Sequence, residues 1–127
     1  MATPQKIRIL VIDDEEAVRE TLCENLIDCG FEVYEAIDGE QGIDLIRPDN
    51  LPHIVITDII MPRKEGIETI MEMRKKYPAI KLIAISGGGR MKSMDFLHLA
   101  ERVGANSVFP KPINVDELAK VIRQLAG

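Results

Sequence analysis

Hydrophobic positions along the chain follow two alternating patterns. Short runs rich in β-branched residues are typical of strands, whereas longer stretches with apolar residues three or four positions apart are typical of amphipathic helices. The strand candidates are Ile7–Ile12, Phe31–Ile37, Ile54–Thr57, Ile80–Ile85 and Ser107–Phe109. The first helix candidate is a stripe of Val18, Leu22, Leu26 and Cys29 that stops at Gly30. The other four are Gly39–Arg47, Ile67–Tyr77, Met94–Val103 and Val115–Leu125. Pro48 ends the second candidate and Pro78 the third. The pattern predicts five repeats of a strand followed by a helix.

Some of the strand candidates contain runs that are apolar on both faces, such as ILVI and IVI. Strands of this kind belong to parallel sheets covered by helices on both sides, and strict alternation implies right-handed crossovers. We therefore predict an α/β fold: a doubly wound, five-stranded parallel sheet in the order 2-1-3-4-5, which is a flavodoxin-like (βα)5 sandwich. Strands 1 and 3 are then neighbours where the winding reverses, and a ligand site is expected at their carboxyl ends.

Length and charge restrict the possible functions. The 127 residues, 46% of them hydrophobic, have the size of one domain. We expect a single domain over residues 1–127, with a core from about 6 to 125. The net charge of −5 has the wrong sign for binding nucleic acid or an anionic membrane by bulk electrostatics. No stretch approaches the length of apolar sequence that a bilayer requires, so we expect no membrane insertion and a cytoplasmic location.

The cysteines and histidines match neither a disulfide nor a metal pattern. Cys23 and Cys29 lie in one predicted helix, where their spacing turns them roughly 240° apart, and no His completes a zinc pattern. We expect both thiols to be buried in a reducing compartment. His53 precedes a strand and His98 lies on a helix, and for both we predict a structural or solvent-facing role.

Polar residues follow the apolar strands at the edge where the ligand site is expected. They are Asp13 and Asp14 after strand 1, Asp58 after strand 3, Ser86 after strand 4 and Lys111 after strand 5. Three ionised carboxylates at adjacent strand ends repel one another and require a cation. Mg²⁺, or alternatively Mn²⁺, meets this need because it binds carboxylates together with water and a phosphate.

The same arrangement suggests which aspartate accepts a phosphoryl group. Asp13 and Asp14 are a pair from one turn, suited to holding an ion, whereas Asp58 stands alone beside them. A lone carboxylate next to a bound metal is a reasonable covalent acceptor. Lys111 could then neutralise developing oxyanion charge, and the Ser86 hydroxyl could donate a hydrogen bond to a phosphoryl oxygen.

These residues resemble the response-regulator receiver domain of two-component signalling and phosphorelays. The resemblance spans Lys6 to about Leu125. It rests on VIDDEE (11–16), DIIMP (58–62) with Gly66 four residues on, ISG (85–87) and KP (111–112). Four short motifs in order, each at a strand end, form a strong signal although each alone is weak.

The resemblance implies a role for each site residue. Asp58 becomes the phosphoacceptor, Ser86 the switch hydroxyl and Lys111 a contact to the phosphoryl group. The Mg²⁺ ligands become Asp13, Asp14, Asp58 and the backbone carbonyl of Ile60. The family's Lys-Pro bond is usually cis, so Lys111–Pro112 is the candidate here.

Two further positions are expected to tune the lifetime of the phosphoryl group. In receivers they lie two places after the acceptor and two places after the switch hydroxyl, and here they are Ile60 and Gly88. Neither side chain can orient a hydrolytic water, so we expect slow self-dephosphorylation.

One position departs from the family pattern. Receivers commonly carry Tyr or Phe three residues before the lysine, and here that position is Val108. Phe109 follows it and is expected on the opposite face of the strand. The usual aromatic readout of the switch is therefore in question, whereas the phosphorylation chemistry is unaffected.

The resulting prediction is a stand-alone receiver that is not an enzyme beyond self-phosphorylation and slow self-dephosphorylation. Its expected partners are a sensor histidine kinase or phosphotransfer protein and a downstream protein target bound through residues 91–125, without direct contact to nucleic acid.

Two alternative functions stay open. A Mg²⁺-dependent aspartate-nucleophile phosphohydrolase has similar site chemistry, but there the nucleophile opens a D-x-D after strand 1. A pseudo-receiver would keep the fold as a binding module without being phosphorylated.

Overall fold

The computed structural model describes residues 6–59, 66–86 and 98–127. The strands are β1 (Arg8–Ile12), β2 (Glu32–Ala36), β3 (Ile54–Asp58), β4 (Lys81–Ser86) and β5 (Ser107–Pro110). The helices are α1 (Glu16–Asp28), α2 (Gly39–Leu45), α3 (Gly66–Lys76), α4, described over 98–103, and α5 (Val115–Ala126). Within these ranges no helix combines the length and the apolar character needed to cross a membrane.

The five strands form one parallel sheet in the order β2-β1-β3-β4-β5, which confirms the predicted topology. β1 pairs with β3 from Ile9↔Ile54 to Ile12↔Thr57. The next residues along these two strands are Asp13 and Asp58, so the register alone places two acidic residues side by side at the carboxyl edge.

The sheet separates two hydrophobic clusters, and successive strand residues alternate between them. The cluster on the side of α2, α3 and α4 includes Leu10, Ile12, Ile43, Ile70 and Ala100. The cluster on the side of α1 and α5 includes Ile9, Val11, Leu22, Leu26, Leu118 and Ile122. Both faces of β1 are therefore buried, which explains why its sequence is continuously apolar.

Two helix ends differ from the sequence prediction. α2 ends at Leu45 rather than Arg47 because Ile46 adopts an extended backbone and Arg47 bridges to Asn50 in a short turn. Helical geometry is disfavoured at the residue before a proline, so Pro48 by itself excludes Arg47 from the helix. α1 ends at Asp28, and Gly30 follows with φ +96°, a left-handed conformation that glycine adopts without strain.

The shorter α1 also corrects the prediction for the cysteines. Cys23 is buried, and burial raises the pKa of its thiol to about 11. Cys29 lies just beyond the helix, in the turn, and is partly exposed. The expectation that both thiols are buried is therefore wrong for Cys29, which packs at the margin of the cluster under α1 and α5 and stays partly exposed.

Candidate functional site

Three carboxylates converge at the carboxyl edge of β1 and β3. Asp13 follows β1, Asp58 is the last residue of β3, and both are almost fully buried, whereas Asp14 is exposed. One carboxylate oxygen from each residue lies within 4.8 Å of the others. The structure thus brings together the three acidic residues that the sequence pattern selects, in a group whose oxygen donors suit a hard divalent cation.

Lys111 supplies the positive charge of this group. Its Nζ lies 2.8 Å from Asp58 Oδ2, 3.0 Å from Asp13 Oδ2 and 3.5 Å from Glu15 Oε1. Burial acts to lower the pKa of Lys111, but hydrogen bonds and negative charge from Asp58 and Asp13 outweigh this effect and raise the pKa above its ordinary value. The ammonium is therefore charged at neutral pH and holds two buried carboxylates together.

The position of Lys111 is fixed by its own backbone. Its N–H donates to the carbonyl oxygen of Ser86 at 2.8 Å, and the Lys111–Pro112 peptide bond is cis. The hydrogen bond to Ser86 holds the Lys111 backbone beside the end of β4, and the side chain extends from there to Asp58. Lys111 is thus connected to two neighbouring strand ends.

Ser86 is the last residue of β4 and is fully buried. Its Oγ has no hydrogen-bond partner among the described residues. A buried hydroxyl without a partner costs roughly 1–3 kcal/mol. This hydroxyl is consequently available to an incoming oxygen ligand at the same edge of the sheet.

Gly66, the glycine four residues after the DIIMP motif, lies against the end of β3. A Cβ at this position would overlap the carbonyl oxygen of Asp58 and the backbone of Ile59. The first residue of α3 therefore packs directly against the end of β3, an approach that only glycine permits.

The positions predicted to tune the phosphoryl lifetime and the position of the family's aromatic readout stand differently in the structure. Ile60 and Gly88 lie outside the described residues. Val108 packs against the cluster on the side of α2, α3 and α4, and Phe109 packs against the cluster on the side of α1 and α5. Phe109 therefore faces away from Val108, as the alternation of strand residues predicts.

Arg19 was not selected by the sequence patterns, although it touches the site. It lies on the buried face of α1, where the sequence pattern favours apolar residues, and is only 8% exposed. Its Nη1 donates to the carbonyl oxygen of Asp13, and its Nε donates to Glu35 Oε1, both at 2.9 Å. A charged residue within a predicted apolar stripe is the signal that could have identified it.

A 2-1-3-4-5 sheet with three carboxylates, a buried hydroxyl and a lysine at its switch point defines a class of protein, the receivers of two-component signalling. The family model described as the response regulator receiver domain matches residues 9–123. The chain belongs to this family.

Relatives and solved structures agree with this assignment. The response regulator MprA of Mycolicibacterium vanbaalenii is 33% identical over 123 residues, which cover 94% of this chain and 50% of MprA. The chain thus spans about half the length of the curated relatives it matches. A receiver domain protein from Clostridium thermocellum superposes with a TM-score of 0.85 at 30% identity, covering 94% of this chain and 93% of that one. The receiver domain of NtrX from Brucella abortus gives 0.84 at 31%, covering 93% and 97%.

Proposed function

We propose that this receiver accepts a phosphoryl group on Asp58 from a sensor histidine kinase or a phosphotransfer protein. The observation that carries the proposal is the environment of the Asp58 carboxylate, which is buried, paired with Lys111 at 2.8 Å and adjacent to two further carboxylates. An acceptor in this setting is held in one orientation before the phosphodonor arrives.

The donor set also fits a divalent cation. Three carboxylates and one ammonium leave two uncompensated negative charges, which one divalent ion neutralises. Mg²⁺, or Mn²⁺, would be held by Asp13, Asp14 and Asp58, with the backbone carbonyl of Ile60 as the further ligand that the family resemblance implies. When bound, such an ion offsets the negative charge of the phosphoryl oxygens.

The chain's own residues would then divide the remaining work. An Asp58 carboxylate oxygen attacks phosphorus, forming a P–O bond as the P–N bond of the donor phosphohistidine breaks, and the departing imidazole nitrogen keeps the electron pair. Lys111 holds its proton and pairs with the phosphoryl oxygens. Ser86 Oγ, which is buried, donates a hydrogen bond to one of them.

We propose that the chain carries out no turnover beyond this cycle. Self-phosphorylation by a small phosphodonor and slow self-dephosphorylation are the only reactions that we assign to the chain. The slow hydrolysis follows from the apolar Ile60 and from Gly88, since neither side chain can orient a water for attack.

The experiment that tests this function is incubation of the purified protein with Mg²⁺ and acetyl phosphate, followed by intact mass measurement. We expect one adduct of about 80 Da, the mass of a phosphoryl group. Catalytic consumption of acetyl phosphate without an adduct would instead support the aspartate-nucleophile phosphohydrolase. Absence of both would support a pseudo-receiver.

We further propose that the phosphorylated state is read by a downstream protein through residues 91–125, in the cytoplasm. Two chain connections support this surface: Ser86 precedes the segment that leads to α4, and Lys111 lies four residues before the start of α5. Changes at either residue are therefore transmitted to helices with exposed positions such as Leu99. Amide exchange in residues 98–125 should change when beryllofluoride, a phosphoryl mimic, is added, and unchanged exchange would contradict the proposal.

A further inference from the structure

Arg19 is a buried cation that contacts the backbone of the acidic site rather than its carboxylates. The guanidinium donates to the Asp13 carbonyl oxygen and to Glu35 Oε1, both at 2.9 Å. The Arg19 side chain is 10% exposed, whereas that of Glu35 is 50% exposed. Glu35 lies on β2, so Arg19 connects α1, an outer strand of the sheet and the turn that follows β1.

The contact with Arg19 completes the immobilisation of Asp13. The N–H of Asp13 donates to the carbonyl oxygen of Ala36 at 3.1 Å, and Asp13 Oδ1 accepts from the N–H of Glu15 at 2.9 Å. Arg19 secures the remaining polar group of that residue, its carbonyl oxygen. All the polar groups of Asp13 therefore have a defined partner.

This contact also determines the orientation of Asp14. The Asp13 carbonyl and the Asp14 N–H belong to one planar peptide unit, so a hydrogen bond that fixes the carbonyl also fixes the entry of the chain into Asp14. Asp14 is exposed. The direction of its carboxylate consequently depends on the backbone of the turn rather than on packing around the side chain.

Packing alone does not explain an arginine at this position. The other buried residues of α1 are Leu22, Cys23 and Leu26, and an apolar residue at position 19 would continue that face without the cost of burying a charge. The arginine offers what an apolar side chain lacks, which is donors for the Asp13 carbonyl and for Glu35.

We propose that Arg19 is a positioning residue, anchored by Glu35, that holds the Asp13–Asp14 turn in the arrangement that binds a divalent cation. The inference rests on the proposed function, because it takes the acidic cluster to be a metal site. Repulsion among three neighbouring carboxylates favours conformations of a flexible turn in which they lie farther apart. The hydrogen bond from Arg19 to the turn backbone opposes this separation. Residues that orient metal ligands in this way typically change metal affinity by about 10- to 100-fold when they are removed.

The test is direct binding of Mn²⁺, measured from the electron paramagnetic resonance signal of the free ion. Arg19→Met keeps the aliphatic volume but removes every donor, and we expect its dissociation constant for Mn²⁺ to rise about tenfold or more. Arg19→Lys retains one cationic donor group, so its affinity should lie between those of Arg19→Met and the unchanged protein. Glu35→Ala should weaken binding in the same direction, because Arg19 then loses its anchor.

Arg74→Met is the matched control for a general loss of stability. Arg74 also donates to backbone carbonyls, those of Pro78, Ile80 and Gly104, but at the amino edge of the sheet. Its removal should lower the melting temperature and leave Mn²⁺ affinity within about twofold, because distant sites act independently.

Two patterns of results would overturn the inference, and they differ. If Asp14→Ala loses Mn²⁺ binding while folded Arg19→Met and Glu35→Ala bind like the unchanged protein, Arg19 has no positioning role and the metal site stands. If the unchanged protein binds no Mn²⁺, or Asp14→Ala binds it equally well, the proposed metal site fails and the role of Arg19 fails with it. Should Arg19→Met not fold, Glu35→Ala alone decides, since the Glu35 side chain is half exposed. An unchanged Mn²⁺ affinity in Glu35→Ala would then exclude the proposed anchoring of Arg19 by Glu35.

Discussion

The ammonium of Lys111 donates a 2.8 Å hydrogen bond to Asp58 Oδ2, although the two residues lie 53 positions apart in the sequence. The same ammonium reaches Asp13 Oδ2 at 3.0 Å. Both carboxylates are buried, so a single lysine provides the counter-charge for two acidic side chains. The chemistry and the stability of the site therefore depend on the same contact.

Asp58→Asn should abolish the phosphoryl adduct formed with acetyl phosphate and Mg²⁺, because an amide is not a nucleophile for phosphorus under these conditions. Intact mass measurement checks this. Asp44→Asn, at an exposed position of α2, is the matched control and should retain full labelling. A full-yield adduct in Asp58→Asn would show that another residue is the acceptor.

Lys111→Met should lower the free energy of unfolding by roughly 3 kcal/mol without Mg²⁺, because it removes the positive charge that lies beside two buried carboxylates. Mg²⁺ should then stabilise the variant more than the unchanged protein, because the ion meets a more negative site. Urea unfolding with and without Mg²⁺ measures both quantities, with exposed Lys120→Met as the control. An equal or smaller gain from Mg²⁺ in Lys111→Met would contradict this account.

His53 should make stability depend on pH. Burial lowers the pKa of His53 from its ordinary value of 6.5, and the charge of Arg8 adds to the effect; Nδ1 accepts a 3.0 Å hydrogen bond from the Arg8 N–H. The unfolded chain therefore binds a proton more readily than the folded one. This contribution to stability is complete above pH 6.5 and is lost as the pH falls below it.

Urea unfolding between about pH 7.5 and 5.5 checks the prediction. The free energy of unfolding should fall less steeply in His53→Gln than in the unchanged protein. His98→Gln, at an exposed position of α4, should follow the unchanged protein. Identical slopes in all three proteins would remove His53 as a source of the pH dependence.

Arg74→Met should destabilise the fold by roughly 2–4 kcal/mol, since the guanidinium donates hydrogen bonds to four acceptors. The bonds to the backbone carbonyls are charge-assisted. The acceptors are the carbonyls of Pro78, Ile80 and Gly104 and the Oδ1 of Asn106. Thermal or urea unfolding measures the effect. Arg102→Met, at an exposed position, should change stability by no more than about 0.5 kcal/mol.

Ile60→Asn should shorten the lifetime of the phosphoryl group several-fold, because an amide side chain can orient a hydrolytic water that isoleucine cannot. The measurement is the decay of the adduct in Mg²⁺ buffer after the donor is removed. Ile60→Val, which stays apolar, is the matched control. A lifetime in Ile60→Asn that is equal to or longer than that of the control would show that residue 60 does not direct the water.

The type and order of the elements could be predicted because the inner strands are covered on both faces. β1, β3 and β4 therefore carry runs of apolar residues, and the pattern of the first strand predicts β1 to within one residue. The residues at which helices end are harder to predict from the sequence. α2 ends early because of the backbone of Ile46, a local conformation that the apolar pattern does not encode.

The acidic cluster and Lys111 could be found from the sequence because each residue directly follows an apolar strand and strand order determines which ends meet. The contacts of Arg19 and Arg74 could not, since both donate to backbone carbonyls that come within reach only after folding, although the position of Arg19 in an apolar stripe is a signal. The prediction for Cys29 is wrong for a related reason, because its exposure depends on where α1 ends.

The two hydrophobic clusters on opposite faces of the sheet can be monitored separately by fluorescence. Val108 and Phe109 are consecutive in sequence, yet each packs into a different hydrophobic cluster. The sequence contains no tryptophan, so one introduced there would be the sole indole emitter. Phe109→Trp would report on the interior beneath α1 and α5, and Val108→Trp on that beneath α2, α3 and α4. Two adjacent positions thus give separate optical access to the two sides of a signalling sheet.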